Sequence, residues 1–148
     1  MPDLIEHLPM HHLVWVHAAA TWYMVGLIWF VQLVHYPLKA YIAADRFVEY
    51  QHQHMRRTTW AVGPAMLVEA ATVVIFIVIS PPRLAILAWC GAGLLLVIWA
   101  ATAAFQVPLH HRLTHGKDMD TIRQLVRTNW IRTIAWSARA GVAYLMFS

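Results

Sequence analysis

The sequence predicts an all-α integral membrane protein, an up-and-down four-helix bundle with an amphipathic interfacial helix between its first two spans. Composition is the first reason. Of 148 residues, 60% are hydrophobic and 12% charged, and the mean hydropathy is +0.53, too apolar for a soluble domain of this size. The second is segmentation: apolar stretches at 13–35, 60–79, 84–107 and 126–147 account for most of the chain. Each can cross about 30 Å of hydrocarbon at about 1.5 Å per residue. The third is charge placement. Lys39, Arg46, Arg56 and Arg57 follow the first stretch, and Arg112, Lys117, Arg123 and Arg127 follow the third, whereas the middle loop has only Arg83. Residues 1–148 read as a single four-span domain.

Taken in order, the segment before the first span carries Asp3, Glu6, His7, His11 and His12 and no Lys or Arg. It is expected outside the cytoplasm. The first span is too long for a signal-peptide core and lacks a basic start and a small-residue cleavage site, so it is expected to be retained. Trp15, Trp22 and Trp29 recur every seventh residue as a packed or lipid-facing stripe. Pro37 predicts that the first helix ends after His35. The stretch 40–57, with Tyr41, Ala44, Phe47, Val48 and Met55 near one face, predicts a helix lying along the inner interface. Gly63 and Pro64 predict a kink in the second span. Pro81 and Pro82 make the outer turn, Pro108 closes or bends the third span, and Gly116 with Asp118 and Asp120 opens the fourth helix. No internal repeat, low-complexity tract or linker is visible.

This charge pattern places both termini outside and the two basic loops in the cytoplasm; in a bacterium the membrane would be the inner one. The net charge of +4 follows from that topology and does not call for nucleic acid. Cys90, the sole cysteine, excludes an intrachain disulfide framework or thiolate metal site and is expected as a small buried hydrophobe.

Candidate functional residues are the polar ones inside apolar stretches. An ionised side chain at that depth costs several kcal/mol unless it faces a partner or a wet cavity. From the inner boundary, Arg132 is expected about 8–10 Å deep, Glu69 about 13–15 Å and Arg139 about 18 Å. Glu69 is therefore expected to bridge both arginines, either as a structural ion pair or as a proton acceptor beside two anion clamps. Gln32 and His35 share one face of the first helix. Trp99, Ala103, Gln106 and His110 follow helical spacing on the third, and Asn129, Arg132, Trp136 and Arg139 on the fourth. The catalytic candidates are His35, His110, Asn129, Arg132 and Glu69, with Gln32, Gln106, Trp136 and Arg139 lining the substrate.

Ten histidines fall into an outer group, His7, His11, His12 and His17, and an inner group, His35, His52, His54, His110, His111 and His115. His35 with His54 or His110 could supply two axial ligands to haem b. Copper or zinc on the outer histidines, through His7 and His11, is a weaker alternative. Glu49 and His52 form one Glu-x-x-His motif, and a di-iron bundle needs two with further carboxylates.

The fourth helix, Arg127-Thr-Asn-Trp-Ile-Arg-Thr-Ile-Ala-Trp-Ser-Ala-Arg139, preceded by Gln106-Val-Pro-Leu-His-His-Arg-Leu113, resembles the anthrone-oxygenase-like family of small four-helix membrane proteins. That family pairs a Val-Pro-Leu segment after its third span with Asn-x-x-Arg-Thr in its fourth, here Val107, Pro108 and Leu109, then Asn129, Arg132 and Thr133. The likeness is loose over Gly26 to Pro37 and Gln51 to Pro64 and sharper over the last third. It implies an oxygenase acting on a lipophilic phenolic or polycyclic substrate without metal or flavin, with Asn129 and Arg132 clamping a substrate oxygen. His110 stands where the family more usually has Asn, and His35-Tyr36-Pro37 and the histidine-rich first loop are additions. The first span, with a histidine at each end and Trp and Gly-Leu between, is similar in content but not in spacing to the haem-binding membrane protoporphyrinogen oxidase, which implies the haem alternative only.

The leading expectation is thus an oxygenase-type oxidoreductase in the lipid bilayer, with a lipophilic small molecule entering laterally and no cofactor. The alternatives are a haem- or metal-binding membrane protein and a non-enzymatic accessory subunit, in a homo-oligomer or a larger membrane complex.

Overall fold

The computed structural model describes residues 10–79 and 81–147, so His7 and the acidic residues near it lie outside the described residues. The described chain is helical almost throughout, with four long helices. Helix α1 is Met10–Phe30, α2 is Ala44–Ile79, α3 is Pro82–Ala101 and α4 is Met119–Leu145. Three helical stacks are long and apolar enough to cross a membrane: Met10–Tyr41, Ala44–Ile79 and Pro82–Leu113. The arginines and polar residues of α4 leave it outside that group.

The first helix does not stop at Pro37. It passes through a π turn at Val31–His35, a short α turn at Tyr36–Leu38 and a 3₁₀ turn at Lys39–Tyr41, ending where Ile42 becomes extended. The Tyr36 N–H reaches back to the Val31 carbonyl. This widened turn places Pro37 in the first turn of the next segment, where a missing N–H and a fixed φ do little harm. The third stack repeats the device: a π turn at Thr102–Gln106 closes with Val107 N–H on the Thr102 carbonyl, and Pro108 follows within Val107–Leu113.

The expected interfacial helix is not a separate element. Residues 44–57 continue unbroken into the second span, through Gly63 and Pro64, as one 36-residue helix. No glycine or proline separates Arg57 from Ala61, so nothing in that stretch ends the helix. At about 1.5 Å per residue α2 is about 54 Å long, well beyond about 30 Å of hydrocarbon. Its amino-terminal half is held by a buried stripe, Phe47, Gln51 and His54; of the expected face Phe47 is buried, and Ala44 is exposed. Tyr41 is exposed.

Helix α4 begins as expected. Gly116 adopts φ 153°, a conformation that disfavours side chains, and Asp118 caps the helix by accepting from the Asp120 and Thr121 backbone N–H groups at 3.1 and 3.2 Å. Thr121 also donates its hydroxyl to Asp118. That hydroxyl, and then the Asp120 N–H, holds the Asp118 carboxyl below the usual range.

Helices α1 and α3 each pack against both α2 and α4, closing a ring. Three apolar layers fill it. The one at the Met10 and Ile79 ends of the helices, termed outer for that position alone, is Val14, Phe76, Ala88 and Met146, and the layer at the opposite end is termed inner. The middle one is Met24, Ile28, Leu95, Ile98, Ala135 and Trp136. The inner one is Tyr36, Phe47, Leu109, Leu113, Ile122 and Leu125. Trp15 and Trp22 are 63% and 53% exposed, so the tryptophan stripe faces outward. Cys90 is also exposed, on the side of α3 away from Gly91, and not buried as expected.

Candidate functional site

The polar residues expected to form one constellation fall into two clusters, separated by the middle apolar layer. In the outer cluster Glu69 pairs with Arg139 Nη2 and accepts from the Thr21 hydroxyl, while Arg139 Nη1 donates to the Gly91 carbonyl. His17 Nδ1 lies 2.7 Å from Thr72 Oγ1 and 4.0 Å from Glu69. Because the Thr72 hydroxyl donates to the Val68 carbonyl at 2.7 Å, it accepts from His17. One knot therefore ties all four helices together.

Arg132 does not join it. A depth between those of the two arginines allowed Glu69 to reach either, but direction around α4 decides: Arg139 turns to α2 and α3, and Arg132 stays in the inner cluster. Its Nη1 donates to Asn129 Oδ1 at 3.3 Å and its Nε has no partner. Asn129 Nδ2 donates to Gln32 Oε1 at 2.9 Å, and Gln32 Nε2 donates to the Val126 carbonyl at 3.2 Å. Asn129 and Gln32 thus bind each other and position Arg132.

The centre of the inner cluster is a hydrogen-bond chain. Lys39 Nζ donates to Gln51 Oε1 at 2.9 Å, and Gln51 Nε2 lies 2.9 Å from His110 Nδ1 and 3.1 Å from the His110 carbonyl. His110 Nε2 lies 2.9 Å from the Tyr36 hydroxyl. The direction follows from chemistry. An ammonium only donates, so the Gln51 oxygen faces Lys39 and its NH₂ faces His110. His110 Nδ1 then accepts, and the neutral ring carries its hydrogen on Nε2 and donates it to Tyr36. The Arg132 guanidinium lies near the same hydroxyl.

The remaining imidazoles stack outward from His110. The His54 ring centroid is 4.9 Å from that of His110 and 4.6 Å from that of His35. His35 Nε2 and His54 Nδ1 are 2.8 Å apart, Thr58 Oγ1 lies 3.1 Å from His54 Nδ1, and the Tyr50 hydroxyl lies 3.5 Å from His35 Nε2. His35, Tyr50, His54 and Thr58 line a groove of about 660 Å³, with Arg46 and Arg57 also on its wall. That volume suits a small-molecule ligand.

The geometry bears on each metal expectation. Among the described residues no three His, Cys, Asp or Glu side chains are grouped to hold a metal ion. His110 has turned both ring nitrogens to Gln51 and Tyr36, and the 2.8 Å contact of His35 with His54 leaves no slot for a haem plane between them. His11 and His12 are exposed, and His17 is buried against Thr72. Glu49 and His52 are both exposed.

The other expected residues separate by helix face. Gln106 donates to Thr128 Oγ1 at 3.0 Å and leaves its Oε1 unpartnered, while Trp99 points outward. The π turn between them adds a residue to the helical register, so the face predicted from 99, 103, 106 and 110 does not persist. Trp136 is buried in the middle apolar layer, its ring 5.5 Å from the Arg139 guanidinium.

No family model, characterised protein or solved structure matches this chain. Tyr36, Lys39, Tyr50, Gln51 and Thr58 were not expected in the cluster, and His54 was expected only as a haem ligand. The spacing of Phe47, Gln51 and His54, at i, i+4 and i+7, was the available signal, because it marks a buried polar stripe on α2.

Proposed function

We propose that the chain is an oxygenase-type oxidoreductase of the membrane that takes a proton from a lipophilic phenol or enolisable polycyclic molecule in the inner groove. One observation carries this reading: the hydrogen-bonded chain Lys39, Gln51, His110 and Tyr36, stacked through His54 onto the groove. Such a chain fixes tautomers and moves protons, and the groove brings a substrate to its end.

In this reading all four helices cross the bilayer as an up-and-down bundle. Helix α4 crosses too, since Asn129, Arg132, Thr133 and Arg139 are buried inside the ring. Both termini lie outside and the membrane is a bacterial inner membrane, following the basic residues. From Met10, Ile79 and Pro82, His35, His54 and His110 are about 37, 37 and 42 Å along their helices. They therefore sit at the inner interface, where the polar end of a membrane-dissolved molecule emerges.

His54 or His35 accepts the substrate proton, and Arg132, positioned by Asn129, stabilises the negative charge through the Tyr36 and His110 pair. With a diaryl methylene as substrate, loss of one proton leaves a stabilised carbanion. Dioxygen is the oxidant: one of its atoms becomes the ketone oxygen and the other leaves as water. The resemblance of Asn129, Arg132 and Thr133 to the anthrone-oxygenase-like pattern supports the oxygenase assignment.

The test joins a spectrum to turnover. Detergent-purified protein is expected to show no band between 300 and 700 nm before or after dithionite and to consume dioxygen with an anthrone or polycyclic phenol. His54→Gln and Arg132→Gln should lower that rate by at least about tenfold. A Soret band would overturn the cofactor-free reading in favour of haem on the histidines. No dioxygen consumption by wild type, with both variants still assembling with a larger membrane complex as wild type does, would identify an accessory subunit.

A further inference from the structure

The charges around the inner groove do not balance. Lys39 is fully buried, with its ammonium on Gln51 and 4.8 Å from the Tyr50 ring centroid. Arg132 is 8% exposed and has an unpartnered Nε. Among the described residues, the carboxylates within ion-pair distance of a basic side chain are Glu69 and Asp120, and these meet Arg139, His17 and Arg123. Arg46 and Arg57 line the groove itself, and Glu49 is the one acid among its lining residues. The two arginines on the groove wall are exposed, outnumber its single acid and so favour an anionic ligand head over a neutral one.

The groove also has a direction. Arg46, Tyr50, Gln53, Arg57 and Ala61 share a face of α2, and all five line the groove. Measured back from Ile79, Ala61 is about 27 Å along the helix, His54 about 37 Å and Arg46 about 50 Å. With about 30 Å of hydrocarbon, the groove starts among lipid tails at Ala61 and ends beyond the head-group level at Arg46.

From this charge and this orientation we propose that the groove selects a lipophilic acid: an amphiphile with one oxyanion head between Arg57 and Arg46 and an apolar body extending past Ala61 into the inner leaflet. The inference rests on reading the groove as the substrate site and narrows its ligand to a lipophilic molecule that carries an ionised head group in addition to the acidic C–H from which His54 or His35 takes a proton.

The test uses the full chain in phosphatidylcholine nanodiscs with tritiated oleate, unlabelled oleyl alcohol and inorganic phosphate. Oleate is expected to bind at least about tenfold more tightly than oleyl alcohol. The R46Q/R57Q variant should lose that preference while binding the alcohol as wild type does. Both arginines are exposed, so this variant should keep its helical circular dichroism. Equal binding of oleate and oleyl alcohol to wild type would overturn the charge selection and leave the groove as a neutral lipophile site. Failure of both to bind would overturn the groove reading itself. Displacement of oleate by phosphate alone would show a free-anion site in place of an amphiphile site.

Discussion

The Glu69 and Arg139 pair gives the sharpest prediction about what holds this fold together. Both side chains are buried, at 0% and 2% exposure, and they join α2 to α4. Thr21 adds α1 through its hydroxyl and Gly91 adds α3 through its carbonyl. Glu69→Gln keeps the shape and the contact with Thr21 but leaves the guanidinium without a counter-charge. Breaking one side of a buried pair costs about 3–5 kcal/mol, a factor of about 10²–10³ or more in the folded to unfolded ratio. Replacing both ends with apolar residues removes the orphaned charge, and such replacements are often neutral or stabilising. Unfolding in mixed micelles, followed by far-ultraviolet circular dichroism, should therefore place Glu69→Gln far below wild type. The double variant Glu69→Leu with Arg139→Met should lie well above Glu69→Gln. If Glu69→Gln stays within about 0.5 kcal/mol of wild type, the pair does not hold the helices and the reasoning fails.

Three further outcomes follow from particular contacts. A Cβ on Gly91 would lie 3.3 Å from Arg139 Nη1 and 3.8 Å from Val142, whereas one on Gly93 meets nothing within 4 Å. Gly91→Ala should thus destabilise by about 1–3 kcal/mol, and Gly93→Ala should be neutral or stabilising by up to about 1 kcal/mol, in the same unfolding assay. Asp118→Ala should lower the melting temperature at neutral pH by removing the cap of α4. Because the folded Asp118 carboxyl titrates below the usual value of about 3.9, its contribution is complete above that pH and is lost as pH falls through the lower folded value. Wild type and Asp118→Ala should therefore converge in acid, as a pH series of melting curves would show. Gln51→Leu should remove the constraint on His110, and nitrogen NMR of labelled histidine should show the Nε2–H tautomer dominant in wild type and a mixture in the variant.

Helical class, the first three apolar stretches and the polar interior were legible because hydropathy and charge placement survive any detail of packing. So was the start of α4, since Asp118 followed by Asp120 and Thr121 carries its own cap. Pairing was not legible. Depth alone put Glu69 within reach of Arg132 and Arg139 alike, and only the azimuth of each side chain around its helix separates them. The inner end misled for a related reason. Tyr41, Ala44, Phe47, Val48 and Met55 looked like a membrane-facing edge, but with α2 continuous through Arg57 and Thr58 only Phe47 of these is buried, beside Gln51 and His54. A buried lysine was also unexpected: Lys39 counted as a loop charge until the 3₁₀ turn after Pro37 aimed it at Gln51.

The two π turns explain why the site could form at all. In a straight helix Pro37 and Pro108 would each break a bond and clash with the preceding turn. Widening the turn before each proline avoids that conflict and rotates everything after it by about one residue's worth of arc. Tyr36 and His110 both lie beyond such a turn, and their 2.9 Å contact depends on both rotations. The outer cluster contains no such distortion, lying on regular stretches of α1 to α4. Strain and tolerance to change should separate accordingly. Substitutions at Glu69 or Gly91 act on stability and spare the tautomer of His110, because the layer of Met24, Ile28, Leu95, Ile98 and Trp136 isolates one cluster from the other. Substitutions at Gln51 act on His110 and leave the outer knot intact. A variant of the outer pair that folds yet changes the His110 resonances would show that this apolar layer transmits what it is packed to isolate.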